Sequence, residues 1–252
     1  MNKKLLKLTA QHTLPTPMQH WLKTQWQAYR HHPLLGGVRL GELRSLKPIS
    51  SDWGFERGQP IDRYYIENFL ARQSDDIRGR VLAIGDDFYT RQFGGKRVTK
   101  SDILHIEEGS PEATIIGDLT DAEHIPSDTF DCFILAQTLQ LIYEVRLAIK
   151  TTYRIMKPGG VVLVTIPGIT PLKDHEWNDC WCWSFTALSA IRLFEEFFPK
   201  ANIEVQTYGN VLAATAFLQG MATRDLQRQH LDYHDPSYQM LITVRAVKPE
   251  VV

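Results

Sequence analysis

Glycine is scarce where a nucleotide-binding turn would need it. After the strand-like run RVLAIG, residues 80–85, the chain continues DDFYTRQFGG. The missing G-x-G-x-x-G argues against a nicotinamide-dependent oxidoreductase, whose phosphate-binding turn requires those glycines. Long apolar runs are absent too. None approaches the roughly 18 residues of a membrane helix, so no membrane span is expected. There are only three cysteines, Cys132, Cys180 and Cys182. They give neither a disulfide framework nor a four-ligand zinc spacing, and buried free thiols are expected in their place. The opening MNKKLLKLTAQHTL is basic, but its apolar stretch is too short and too interrupted for a signal peptide, and a cytoplasmic location is expected.

The chain has 252 residues, 43% of them hydrophobic and 23% charged, which suits a globular α/β domain with a full core. Formal charge is −1, yet the first 47 residues hold eight Lys and Arg against one acidic residue, which leaves the remainder acidic. No aromatic and basic patch of the nucleic-acid kind accompanies this excess. The first 54 residues are therefore read as a basic helical arm, and 55–252 as the main domain.

From about residue 55, strand-like and helix-like units alternate, the pattern of a mostly parallel sheet with crossover helices. Strand candidates are 80–85, 96–102, 112–118, 130–136, 161–167, 202–209 and 238–248. Several are continuous apolar runs, as in strands covered by helices on both faces. Between the fourth and fifth, Ile142, Val145, Ile149, Tyr153 and Met156 recur at helical spacing. Arg154 and Lys157 are placed in the last turn, before Pro158-Gly159-Gly160. A further helix is expected from Pro60. The link between the first two strands, only about a dozen residues with Gly94-Gly95, leaves room for a very short helix at most.

YRIMKPGGVVLVTIPG (153–168), DTFDCFILAQTLQLI (128–142) and GDLTDAEHIPSDTFD (117–131) together resemble class I S-adenosylmethionine-dependent methyltransferases. SFTALSAIRLFEEFFP and YGNVLAATAFLQG are similar to methyltransferase domains found beside glycosyltransferases in surface-polysaccharide pathways. The resemblance covers 55–248. It implies a Rossmann-like sheet of seven strands, the last antiparallel, with S-adenosylmethionine across the carboxyl ends of the first strands. Open α/β sheets bind ligands at that switch point on general grounds.

Carried onto this sequence, the resemblance implies cofactor-binding roles for several residues. Ala83 stands where an acid is usual and Gly85 is retained. Asp86 and Asp87 either face the cofactor's ammonium or cap the next segment. Asp102, followed by Ile103, is matched to the carboxylate that takes the ribose diol, an Asx turn being the alternative. Asp118 and Leu119 match the adenine contacts, with turn capping the alternative for Asp118. Gln137 is placed to line the cleft. Upstream, Arg57 is a candidate for the methionine carboxylate and Tyr64 for covering the site, with Asp62 and Arg63 read as a surface pair.

Methylating a hydroxyl requires a general base or a metal. PGITPLKDHEWNDCWCWSFT (167–186) supplies His175 and Asp174 as candidate catalytic groups, with Trp177 and Trp183 as faces for a saccharide or other small acceptor. No recognised ligand spacing supports a metal. Tyr233 is a second candidate for the acceptor wall. The leading expectation is O-methylation of a small-molecule or glycan-like acceptor. A degenerate methyltransferase fold acting as a partner or scaffold module is the alternative, favoured by Ala83 and opposed by Asp102, Asp118 and the KPGG segment.

Overall fold

The seven expected strands form one sheet. The computed structural model describes residues 41–172 and 179–250. The strands are β1 (Gly79–Ile84), β2 (Val98–His105), β3 (Ile115–Ile116), β4 (Phe130–Ala136), β5 (Met156–Pro167), β6 (Ile203–Tyr208) and β7 (Leu241–Val247). Their order is β3-β2-β1-β4-β5-β7-β6. All neighbours are parallel except β7, which runs antiparallel to both β5 and β6.

Side-chain alternation divides the core in two. Phe133 and Leu135 of β4 join Leu82, Val162 and Val164 on one face, under α2 (Val145–Ile155) and α3 (Ala187–Glu195). Cys132 and Ile134 join Val81 and Leu163 on the other, under α1 (Ile61–Arg72) and α4 (Val211–Leu218). Both faces are covered, which is why these strands read as unbroken apolar runs. Connections leave β1 toward β2 on one side and β4 toward β5 on the other, so the order reverses between β1 and β4, and a crevice opens there at the carboxyl ends.

Several boundaries differ from the sequence reading. The helix before β5 stops at Ile155, and Met156 and Lys157 already belong to the strand. Pro158 disfavours a helical Lys157. Thr129 and Asp128 backbone N–H groups cap the last carbonyls, those of Ile155 and Arg154, at 2.8 and 3.1 Å. Lys157 instead holds Asp131, with Nζ 2.9 Å from its carboxylate. β3 shrinks to two residues, a short edge strand that leaves little open ladder. β2 continues past Asp102 to His105. Of the cysteines, Cys132 is buried as expected, whereas Cys182 is exposed.

Residues 47–252 form the larger of two compact units, 1–46 being the other. The stretch 47–54, read from the sequence as part of the arm, thus belongs to the larger unit. Ser50 N donates to Gln219 O at 3.0 Å. A Cβ on Gly54 would lie 2.8 Å from Gly220 O, and one on Gly220 2.1 Å from Ser50 O, so backbone meets backbone here.

The short β1–β2 link holds a π-helical turn, Thr90–Gly94, followed by a 3-10 turn, Gly95–Arg97. A Cβ on Gly94 would come within 2.4 Å of Val98 Cγ2 and 2.8 Å of Ile77 Cγ2, both packed into the core. Gly94→Ala therefore overpacks the site and should cost about 1–3 kcal/mol. Thermal unfolding checks this, and a midpoint equal to wild type would show that the turn has slack.

Candidate active site

At the end of β1 the backbone turns through Gly85, whose φ of +76° favours glycine. A Cβ there would meet nothing within 4 Å, so the peptide faces open space. Asp86 replaces the usual second glycine by folding its side chain onto the chain: Oδ1 accepts from Phe88 N at 2.8 Å. Asp87 turns away to Arg91 at 3.1 Å. The glycine-poor turn is thus built by an Asx bond.

A cleft of about 690 Å³ opens beside it, at the reversal between β1 and β4. This lies within the range of small-molecule and cofactor sites. Phe88 and Tyr89 line one wall without plugging it, their rings 5.4 Å apart edge to face. The floor is Ala83, Ile84 and Asp86 from β1 with Ile134, Ala136 and Gln137 from β4. Gln137 has φ +49°, uncommon for a residue with a side chain, and its N–H is held by Thr165 O at 2.8 Å. Backbone held in this region concentrates at functional sites.

The opposite wall comes from Trp53 and Phe55 and from the first turns of α1, which contribute Asp62, Arg63 and Glu67. Burial pushes the Asp62 carboxyl above the usual carboxylate range, with Arg63 and backbone N–H groups only partly offsetting it. Burial works against the charge of Arg63, yet Asp62, Tyr89 and Glu67 outweigh it and hold the guanidinium above its ordinary pKa. Tyr89 is pushed up by burial while Arg63 pulls it back. Glu67 also accepts from Gln59 Nε2 at 2.8 Å. Both described ends of the loop after β5 reach the cleft, through Thr170 and Trp181.

Of the residues expected at the site, Asp86 and Gln137 line this cleft and Gly85 lies between two lining residues. Others sit elsewhere for identifiable reasons. Arg57 grips Asp225 at 3.0 Å, outside the cleft lining. Asp102 precedes the end of β2 by three residues, is 2% exposed, and is taken by Arg80 at 2.6 Å and Lys100 at 3.2 Å. Ile103 is a buried strand residue whose N–H goes to Thr114 Oγ1 at 2.8 Å. Asp118 caps its own turn, accepting from Thr120 N at 2.8 Å, and Leu119 is in the core. Trp183 stacks on Tyr143 and donates to Ile142 O at 3.0 Å. Tyr64 and Tyr233 both line a second cavity of about 420 Å³ between α1 and the short helix α5 (Arg228–Asp232). Asp174, His175 and Trp177 lie outside the described residues.

The sequence reading gave no binding role to Asp62, Arg63, Glu67, Tyr89, Trp181 or Gln140, and Asp62 and Arg63, read there as a surface pair, line the cleft instead. A usable signal was present for three of them. Ile61, Tyr65, Ile66, Phe69 and Leu70 mark the buried side of α1, and Asp62, Arg63 and Glu67 are the charges flanking it. Among the described residues no cluster of His, Cys, Asp and Glu is set to hold a metal, and no helix is long and apolar enough to cross a membrane.

Residues 81–164, from β1 into β5, match the family model of the methyltransferase domain, and the strand order around them is complete. Over those residues the chain is thus similar to a methyltransferase domain. A methyltransferase from Archaeoglobus fulgidus, described as dependent on that cofactor, superposes with a TM-score of 0.51 at 12% identity, over 74% of this chain and 94% of that one. The [4+2]-cyclase SpnF superposes with a TM-score of 0.50 at 15% identity, over 74% and 82%. These likenesses establish the fold of the methyltransferase domain. No curated protein matches the chain significantly.

The cleft suits the family's cofactor, S-adenosylmethionine. Its volume admits an adenosyl group, and the open face of Gly85 lets backbone approach a ligand. Arg63 and Asp62 present opposite charges, as a zwitterionic amino-acid head requires.

Proposed function

We propose that this methyltransferase acts on a protic acceptor, a small molecule or saccharide bearing a hydroxyl, and that the cleft between β1, β4 and α1 is where it does so. The observation that carries this reading is the cleft itself. It is open at Gly85, walled by charges of both signs, and continuous with Thr170 and Trp181 at the ends of the loop that carries His175 and Asp174.

When bound, S-adenosylmethionine supplies a methyl group already activated on a sulfonium, so the methyl passes to the acceptor oxygen, the acceptor's proton goes to a base, and a thioether is left. The chain's own task is chiefly alignment, which is worth up to about 7–11 kcal/mol in favourable cases. Gly85 and Asp86 bring backbone to the ligand, and Gln137 presents the end of β4. Arg63, with Tyr89 beside it, takes the methionine carboxylate in the role first assigned to Arg57, while Asp62 meets the ammonium. Trp181 covers the acceptor, and His175 or Asp174 receives its proton.

Differential scanning fluorimetry with S-adenosylmethionine and S-adenosylhomocysteine tests the reading. At a hundred times Kd, either ligand should add about 2.7 kcal/mol of stability. No shift with either at millimolar concentration would leave the fold serving as a scaffold, consistent with Ala83 in place of the usual acid. SpnF, described as a cyclase, illustrates that this fold alone does not fix the reaction.

A further inference from the structure

Gln140 lies in the segment after β4 and is 2% exposed, yet it lines the cleft. Its Nε2 donates to Gln137 O at 2.8 Å. Because that oxygen only accepts, the bond fixes which end of the carboxamide is which. The other end, Oε1, is buried and meets no donor among the described residues. Of the buried side-chain oxygens in that position, it belongs to the one residue that lines the cleft. Buried acceptors are nearly always satisfied, and an exception needs an explanation.

The surroundings indicate which donor is missing. Gln140 O accepts from Cys182 N at 2.8 Å and Trp183 N at 3.1 Å, so the residue anchors the segment that puts Trp181 over the cleft. Leu141, Pro167 and Thr170, which also line the cleft, belong like Gln140 to the β4 and β5 exits, whereas the floor at Ala83 and Ile84 comes from β1 and the Asp62–Arg63 wall from α1. A methylsulfonium carries no N–H or O–H. The cofactor's own N–H and O–H groups lie on its ammonium, ribose and adenine, so a donor beside the transferring methyl belongs to the group about to be methylated.

We propose that Gln140 Oε1 accepts a hydrogen bond from the O–H or N–H of the methyl acceptor and so orients its lone pair toward the transferring methyl. The inference rests on the function proposed above and restricts the acceptor to protic nucleophiles. A carboxamide oxygen is too weak a base to take the proton, so Gln140 is an orienting contact and the base is another group. The left-handed backbone of Gln137, whose carbonyl Gln140 holds, fixes the carboxamide in place.

The test needs no knowledge of the acceptor. Sinefungin carries an amine where S-adenosylmethionine carries its methyl, and S-adenosylhomocysteine has no donor at that point. Calorimetry with both ligands on wild type, Gln140→Met and Gln140→Glu separates the possibilities. Both variants lose the bond to Gln137 O, but only methionine removes the acceptor oxygen. The expected result is that the preference for sinefungin over S-adenosylhomocysteine falls about tenfold in Gln140→Met, as for one hydrogen bond to a charged donor, and survives in Gln140→Glu. An unchanged preference in Gln140→Met overturns the assignment. So does an equal loss for both ligands, which would give the oxygen to the cofactor. Failure of wild type to bind either ligand overturns the methyltransferase reading itself, and is told apart because no variant is then involved.

Discussion

Arg63→Ala is expected to lower affinity for S-adenosylhomocysteine roughly 100-fold while leaving that for 5′-methylthioadenosine unchanged, since the second ligand keeps the adenosine and lacks the amino-acid head. Truncating one partner of a buried, hydrogen-bonded charge pair costs about 2–5 kcal/mol, and 100-fold sits near the low end of that range because Arg63 is only half-buried. Its guanidinium lies between Asp62, Glu67 and Tyr89 in the cleft wall, so part of what an incoming carboxylate gains is already present in the free protein. Asp62→Asn should act in the same sense on the ammonium. The pH dependence separates it from a packing effect. Burial raises the folded-state pKa of Asp62, so its carboxyl stays neutral longer than usual as pH rises, and only the ionised form attracts an ammonium. Affinity should therefore climb as pH passes upward through that raised value, and the climb should vanish in Asp62→Asn. For the free protein the sign is opposite: stability is greatest below the ordinary aspartate pKa and declines as pH rises toward the raised one. Titration calorimetry with the two ligands decides the matter, and equal losses for both would reduce Arg63 to a structural ion pair.

The sheet was legible because its evidence is redundant. β4 was located to the residue, since Phe130–Ala136 is apolar on both faces and sits in the middle of the sheet. The turn at Gly85 was legible because a positive φ with open space beyond it leaves a chemical trace in the sequence. What misled was register. Asp102 looks like a strand-terminal carboxylate when β2 is ended at the acidic residue, but pairing with β1 to Leu104 and with β3 at His105 carries the strand further and leaves Asp102 buried within it. Arg57 and Arg63 are six residues apart, and sequence alone gives no reason to prefer the second. What favours Arg63 in the proposed role is Asp225, which is 168 residues from Arg57 and binds it. Asp118 illustrates the same limit in another form, because a carboxylate that caps its own turn and one that awaits a ligand have identical local sequences. Gln140 was invisible, since an orphan oxygen is a property of packing and not of pattern.

Asp102→Ala is expected to cost about 2 kcal/mol of folding stability and to leave S-adenosylhomocysteine affinity within twofold of wild type, the reverse of a ribose-binding residue. Burial alone would push the Asp102 carboxyl up, but hydrogen bonds from Arg80 and Lys100 and their charges hold it below the ordinary range. Removing one partner of an enclosed ion pair costs about 3–5 kcal/mol. Arg80 and Lys100 are 34% and 57% exposed and can rehydrate, which brings the figure down. The linkage adds a second signature. A depressed carboxylate contributes stability that is fully present above the ordinary aspartate pKa of about 4 and is lost as pH falls through the lower folded-state value. Urea unfolding should accordingly show a gap between wild type and Asp102→Ala that is wide at neutral pH and narrows in acid. The ribose diol then needs another carboxylate at the end of β2. Glu107, two residues past His105 and with its N–H on His105 Nδ1 at 3.0 Å, stands nearest to that edge, so Glu107→Gln should weaken both S-adenosylhomocysteine and 5′-methylthioadenosine without touching stability. If Asp102→Ala instead loses ligand affinity and keeps its stability, the Arg80 pair must open to admit the ribose, and the buried carboxylate regains the role its sequence position implied.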